Sequence, residues 1–358
     1  FSPTGKLLKP LGDLDFEDAV EVFAQTVKLG VKYGADLIFI ETMNDSYETK
    51  AAVLAAKENC NLPVFVTNVY DGSGKLMTGA SPEAMIAMLE GLGVDALGLN
   101  CSVGPDKMLE IIDRFIDNAS VPVIANPNAG LPVVLDGKTV YNIDADEFAD
   151  YMQRLAEKGV NILGGCCGTT PEYMRKTIEK TAGIEYKTPT FKENTVVSSY
   201  TQAVFVGEKP VLIGERINPT GKKKLKEALK TGDLNYILNE GITQAEKGVH
   251  ILDVNVGLPE IDEAKMMKKV VTALQAVTDL PLQIDTSTPD VLADAMRYYN
   301  GKPLVNSVNG EDESMDAVFP LVKKYGGAVI ALAMDKNGIP ETVRKRLAVH
   351  DGDLGQRT

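Results

Sequence analysis

Tryptophan is absent from this 358-residue chain, and histidine appears only as His250 and His350. A histidine general base therefore has few candidates. Cysteine occurs four times, at Cys60, Cys101, Cys166 and Cys167. That is too few for a disulfide scaffold in so long a chain, so the thiols read as reduced and cytoplasmic. No run of about 18 apolar residues could span a bilayer, and no signal-peptide pattern is present. Positive charge is in deficit. The formal charge is −13, no basic stripe offsets it, and a nucleic-acid partner is disfavoured.

What is present is glycine, alanine and valine in quantity, which suits repeating β/α units, and enough length for two domains with their own cores. Phe16, Val20, Phe23, Val27 and Val31 recur at helical spacing and predict a helix to about Tyr33. Short apolar runs then predict strands at 36–42, 63–70, 96–101, 121–126 and 161–164, each followed by a turn and a helix-period segment. Ser81-Pro82-Glu83 starts one such helix with an N-cap serine and a proline at the first helical position. Periodicity weakens over 184–209, which reads as a linker with some extended structure. A second series begins at Val211 and continues with strands at 251–256, 282–286, 304–308 and 328–334, and with helices at 263–277 and 289–299. The expected domains are 1–183 and 210–358, with five strand–helix units each.

Alternating β/α units with buried strands imply an α/β fold with parallel sheets. Five units could form an open doubly wound sheet or part of a (β/α)8 barrel. No GxGxxG follows a first strand, and functional-looking residues fall at several strand ends, which favours two tandem, incomplete barrels.

Those strand ends carry the chemistry. Cys101, Cys166 and Cys167 form a plausible three-thiolate zinc site with a fourth position open for a substrate thiol. Packed cysteines or a vicinal disulfide remain alternatives. Gly165 and Gly168 would let the backbone leave strand geometry so that adjacent thiols converge. Cys60 reads as a spectator near a helix end. Glu41 and Thr42 could receive an amino-acid ammonium, helped by Asn100, Asn126 and Asn128; helix capping is the alternative role. In the second half Asp253, Asn255, Asp285 and Asn306 would face one mouth, where a carboxylate can accept two adjacent N–H donors of a pyrimidinone edge. Lys222, Lys223, Lys224 and Lys226 read as a solvated helix face, able to meet an anionic tail.

The first half resembles the homocysteine S-methyltransferase domain through Ser2-Pro3-Thr4-Gly5, Phe39-Ile40-Glu41-Thr42, Gly98-Leu99-Asn100-Cys101 and Gly164-Gly165-Cys166-Cys167-Gly168-Thr169. The second half resembles the pterin-binding domain through Gly214-Glu215-Arg216-Ile217-Asn218-Pro219-Thr220-Gly221, Leu252-Asp253-Val254-Asn255 and Ile284-Asp285-Thr286-Ser287, with Asn306 on the next strand. Their order is similar to the N-terminal half of the cobalamin-dependent methionine synthase family. The resemblance implies two barrels, one holding Zn2+ and homocysteine, the other methyltetrahydrofolate. Cys101, Cys166 and Cys167 would ligate zinc, and Glu41 would contact the homocysteine amino group. Glu215, Asn218, Asp253, Asp285 and Asn306 would surround the pterin. In the family a methyl group passes from folate to cobalamin and then to the homocysteine thiolate, giving methionine. About three units of each family barrel have no counterpart here, nor has the cobalamin-binding domain, and the stretch from His350 to Thr358 does not continue the pattern. The chain is therefore expected to be a fragment of a longer parent, with that cobalamin domain as a partner. The alternatives are a cobalamin-independent homocysteine methyltransferase and a non-catalytic zinc- or folate-binding protein.

Overall fold

In the computed structural model, which describes residues 1–135, 137–207, 209–349 and 351, α1 (Phe16–Lys32) buries Phe16, Val20, Phe23 and Val27. Those side chains recur every three or four residues and so share one helix face. Val31, expected on the same stripe, is exposed, and Tyr33 caps the helix at its solvent end. His350 and residues 352–358 lie outside the described residues.

The chain then alternates as its apolar runs predict. The first series is β1 (Ile38–Met43), α2 (Ser46–Asn59), β2 (Val64–Asn68), α3 (Pro82–Gly91), β3 (Ala96–Asn100), α4 (Pro105–Asn118) and β4 (Val123–Asn126). A hairpin absent from the sequence reading follows, β5 (Pro132–Leu135) and β6 (Lys138–Tyr141), before α5 (Ala145–Lys158), β7 (Ile162–Leu163) and α6 (Pro171–Thr181). The start of α3 is as Ser81-Pro82 predicts: Ala84 N–H donates to Ser81 Oγ at 3.3 Å. Cys60 is the C-cap of α2, its thiol donating to Ala56 O at 3.4 Å.

The second series is β8 (Thr195–Ser198), β9 (Ala203–Val206), β10 (Ile213–Ile217), α7 (Lys223–Thr231), α8 (Leu234–Glu246), β11 (Ile251–Val254), α9 (Glu263–Leu274), β12 (Leu282–Asp285), α10 (Pro289–Tyr298), β13 (Leu304–Asn309), α11 (Asp312–Tyr325), β14 (Ala328–Leu332) and α12 (Val343–Val349). Two compact units result: Phe1–Glu90 with Val94–Glu193, and Gly91–Gly93 with Asn194–Thr358.

Each unit holds a five-stranded parallel sheet among the described residues. The orders are β1-β2-β3-β4-β7 and β10-β11-β12-β13-β14, with the strands in chain order. Helices between consecutive parallel strands supply the crossovers. Neither sheet closes on itself among the described residues, so the architecture established is a pair of five-stranded α/β units. No described helix is long and apolar enough to cross a membrane.

The extended structure expected near 184–209 is the β8–β9 hairpin, and it belongs to the second unit's core. Val197 is fully buried with Ile251 and Leu304, and Val204, Ile213, Ala328 and Ile330 pack around them. These residues mark the strand-start end of the sheet, so the hairpin plugs its floor and leaves the polar strand ends open. Tyr299, fully buried, fastens the plug by donating its hydroxyl to Ser198 O (2.7 Å) and accepting Leu282 N–H (3.1 Å). Tyr299→Phe strips both backbone groups of their partner. A loss of about 1–3 kcal/mol in denaturant unfolding is expected; an unchanged midpoint and slope would show that the hairpin needs no such tie.

Candidate metal centre

The ends of β3 and β7 face each other across β4. Cys101 is the first residue past β3, held where its N–H donates to Asn126 O at 3.0 Å. It then turns through a left-handed backbone, φ 59°, and Ser102 follows at 61°. Non-glycine residues in that region are uncommon and strained, and they gather where a side chain must be aimed. Thr42, at the end of β1, is a third such residue, φ 63°.

Past β7, Cys166 N–H donates to Pro127 O (2.8 Å) and Cys167 N–H to Asn128 Oδ1 (3.0 Å). Thr169 closes the turn, its N–H and its hydroxyl both donating to Cys166 O. Gly168 takes φ 81°, as its expected role requires, but Gly165 serves another purpose. A Cβ on Gly165 would stand 2.6 Å from Thr169 Oγ1, so what it supplies is room for the turn to fold back. Gly164 likewise leaves space for Asn126 Oδ1, 2.5 Å from where its Cβ would be.

The result is convergence of three sulfurs within 4.8 Å of one another. Cys101 and Cys167 are 4.0 Å apart, and Cys166 and Cys167 are 3.9 Å apart. Tetrahedral zinc with Zn–S bonds of about 2.3 Å needs sulfurs about 3.8 Å apart, whereas a disulfide needs about 2.05 Å. The thiols are free, and the donor set suits a soft-to-borderline dication. Burial, and then the neighbouring Cys101 and Cys167, push the Cys166 thiol up to about 12. A proton would stay on Cys166 at neutral pH unless a cation replaces it, and three sulfurs at this spacing are a donor set that fits a metal. Asn100, almost fully buried, sits behind it: its Oδ1 accepts Thr42 N–H (2.9 Å), and its Nδ2 reaches Thr42 Oγ1 (2.8 Å) and Cys166 Sγ (3.9 Å). Asn100 thereby fixes both the strained Thr42 and a sulfur. Glu41 is half-buried at the same end of β1, and no described residue pairs with its carboxylate.

In the second unit the polar strand ends meet around Asp285. Its Oδ2 accepts Asn255 Nδ2 at 3.0 Å and Asn218 Nδ2 at 3.5 Å. Asn306 lies beside it in register on β13, and both line a cleft of about 450 Å³ with Thr286, Ser307 and Asn309. Glu215 is exposed and paired with Lys222 at 2.9 Å, which takes that lysine out of the plain solvated face expected for it. Asp253 is buried and hydrogen-bonded to Gln283 Nε2. Gln283 was not a sequence candidate; its place two residues before Asp285 on one strand puts both on the same face.

Burial raises Asp253 to about 6, aided by the carboxylates of Asp285 and Glu215 and opposed by the Gln283 hydrogen bond. A folded-state value above the ordinary Asp range means the folded chain holds a proton that the unfolded chain releases. Stability therefore falls as pH rises from about 4 to 6, by up to about 3 kcal/mol from this group. Asp253→Asn mimics the protonated form, so its pH–stability curve should be shallower over that window; a curve parallel to wild type would remove Asp253 as the source.

Residues 1–181 match the family model described as homocysteine S-methyltransferase, and residues 214–354 match that of pterin binding enzyme. Methionine synthase from Mycobacterium leprae (strain TN) is 33% identical over 363 residues, which covers 96% of this chain and 30% of that protein. Methionine synthase from Mycobacterium tuberculosis (strain ATCC 25618 / H37Rv) is 33% identical over 358 residues, with the same coverage of 96% and 30%. The chain thus spans 30% of the length of these curated relatives. Among solved structures, the apo homocysteine methyltransferase MmuM from Escherichia coli is 21% identical, with a TM-score of 0.42 over 50% of this chain and 60% of that one. With half of its residues matched by that one family model, the chain belongs to the homocysteine S-methyltransferase family.

Proposed function

We propose that this chain is the homocysteine- and folate-binding portion of a methionine synthase, built from two partial (β/α)8 barrels, the first over 1–183 and the second over 210–358 together with the β8–β9 hairpin of the expected linker. The observation that carries the reading is the convergence of Cys101, Cys166 and Cys167 at zinc spacing within one family-matched unit, followed by a second, pterin-type unit. Zinc held by the three cysteines would supply Lewis acidity that makes an incoming homocysteine thiol a thiolate near neutral pH, with no histidine required.

The protein's own residues bind and orient. Glu41, at the mouth beside the sulfurs, receives the homocysteine ammonium, while Thr42 and Asn126 line the approach. Asn100 positions Thr42 and Cys166. In the second unit the Asp285 carboxylate, with Asn218, Asn255 and Asn306 around it, accepts N–H donors from the pterin edge of methyltetrahydrofolate. Asp253 and Glu215 complete the acceptor surface. Cobalamin, held by a separate domain of the parent protein, would supply the methyl-carrier chemistry. The match of the second unit to a pterin-binding model favours this reading over a cobalamin-independent methyltransferase that takes its methyl group from a sulfonium or betaine donor.

The reduced, purified chain should bind one equivalent of zinc, and Cys101→Ala, Cys166→Ala and Cys167→Ala should each lose it. X-ray absorption on the loaded chain should show an added sulfur neighbour when homocysteine is present. Absence of zinc from the folded, reduced chain would sink the assignment. For the second unit, methyltetrahydrofolate should bind by calorimetry, and Asp285→Asn should weaken it by about tenfold or more, the loss of one charge-assisted hydrogen bond. Equal affinity in both would exclude Asp285 as the pterin anchor.

A further inference from the structure

Gln283 has no part in the binding described above, yet it stands directly beneath it. On β12 its side chain shares a face with Asp285, one row nearer the strand starts. In register it lies between Asp253 of β11 and Leu304 of β13, and Leu304 belongs to the apolar floor. An apolar side chain would continue that floor. Gln283 instead brings an amide, 5% exposed, whose Nε2 donates to Asp253 Oδ1. The contact leaves Gln283 Oε1 buried and without a hydrogen-bond partner among the described residues. A stranded buried carbonyl is a standing cost to stability, and packing gives no reason to bear it.

The direction of the bond supplies the reason. An amide that turns its NH2 toward a carboxyl oxygen favours the ionised form. Turned the other way, its carbonyl would accept from the protonated acid and favour that form. The surroundings work against ionisation. Asp285 on β12 and Glu215 on β10 face Asp253, Glu263 on α9 stands by Asp285, and Lys222 ahead of α7 is the cation that offsets them. Among the described residues the Asp253 carboxyl takes no hydrogen bond besides that from Gln283, so Oδ2 remains to meet a donor.

We propose that Gln283 is a positioning residue for the pterin: by clamping Asp253 Oδ1 it keeps Asp253 a carboxylate and presents Oδ2 to an N–H donor of the ligand. The inference rests on the reading of the second unit as a methyltetrahydrofolate site. The stranded Oε1 belongs to that orientation, and turning the amide to relieve it would lose the ionised acid.

Gln283→Met keeps the length of the side chain and removes the amide. By calorimetry, wild-type affinity for methyltetrahydrofolate should fall as pH drops through about 6, where Asp253 takes up its proton. Gln283→Met should move that midpoint to higher pH and weaken binding severalfold at neutral pH. A packing role predicts the same loss at every pH with the midpoint unmoved, and that result overturns the proposal. A second series needs no ligand. Stability from the Asp253 proton is lost as pH rises toward the folded-state value. In Gln283→Met the fall in denaturation midpoint should therefore continue above the wild-type window, and an unchanged window overturns the proposal equally. Should Gln283→Met fail to fold, Gln283→Asn, an amide drawn back from Asp253 by one methylene, must show both shifts or the proposal fails. A wild-type chain that binds no methyltetrahydrofolate at any pH overturns the pterin reading itself, which separates the two failures.

Discussion

Three sulfurs are held within 4.8 Å of one another, a spacing that a shared cation favours. Two thiolates about 4 Å apart repel by about 4 kcal/mol at an effective dielectric of about 20, and three make three such pairs. The upward displacement of Cys166 is that repulsion added to burial. Holding the sulfurs together therefore needs rigidity from the backbone, and much of the first unit can be understood as providing it. Cys101 and Ser102 are kept in left-handed conformations by the pairing of β3 with β4 just before them. Thr42 is kept there by the Asn100 amide. The turn at Gly168 is closed by Thr169 on one side and covered by Tyr141 on the other. The strain is local, and the parallel sheet beneath carries it.

Both units divide labour along their strands in the same way. Apolar residues near the strand starts make the core, and polar residues at the strand ends make the site. The second unit shows the division most clearly. Its floor is stoppered by Val197 and Val204 of the β8–β9 hairpin, packed on Ile251 and Leu304. Gln283 stands level with Leu304 and pairs in register with Asp253, and Asp285 and Asn306 stand further along the strands. The hairpin covers the strand-start end of the sheet, and the polar residues lie toward the other end.

The sheets and the cysteine triad were legible in the sequence because their signals are local. A buried parallel strand is a short apolar run that ends in a small or polar residue, and Ala96–Asn100 or Ile251–Val254 read so without help. The adjacent cysteines and the glycines flanking them announce a turn. What stayed hidden depends on contacts distant in sequence. The β5–β6 strands are four residues each, too short for a periodicity to show, and the β8–β9 pair reads as extended linker until its packing on Ile251 and Leu304 is seen. Tyr141 looks like any strand tyrosine until the fold lays it on Gly168. The left-handed turn at Cys101 carries no glycine to mark it, because the sulfur's direction forbids one. Gln283 was passed over because an amide two residues before an aspartate has no meaning until Asp253 is seen beside it.

The second unit's acceptors define what it can bind. Glu215 is satisfied by Lys222, and Asp253 by one amide proton of Gln283 together with the proton its burial favours. Asp285 takes amide hydrogens from Asn255 and Asn218, yet burial still holds its carboxyl above the ordinary range, with Glu215 and Glu263 adding to the displacement. A surface this rich in acceptors repels anions and gains nothing from an apolar ring alone. A flat ligand that brings several N–H donors on one edge would meet these acceptors together. On the proposed reading the reduced pteridine of methyltetrahydrofolate brings such an edge, and Lys223, Lys224 and Lys226 of α7 would offer positive charge to its anionic tail. Donor edge toward Asp285 and charged tail toward those lysines is the orientation that the proposed reading requires.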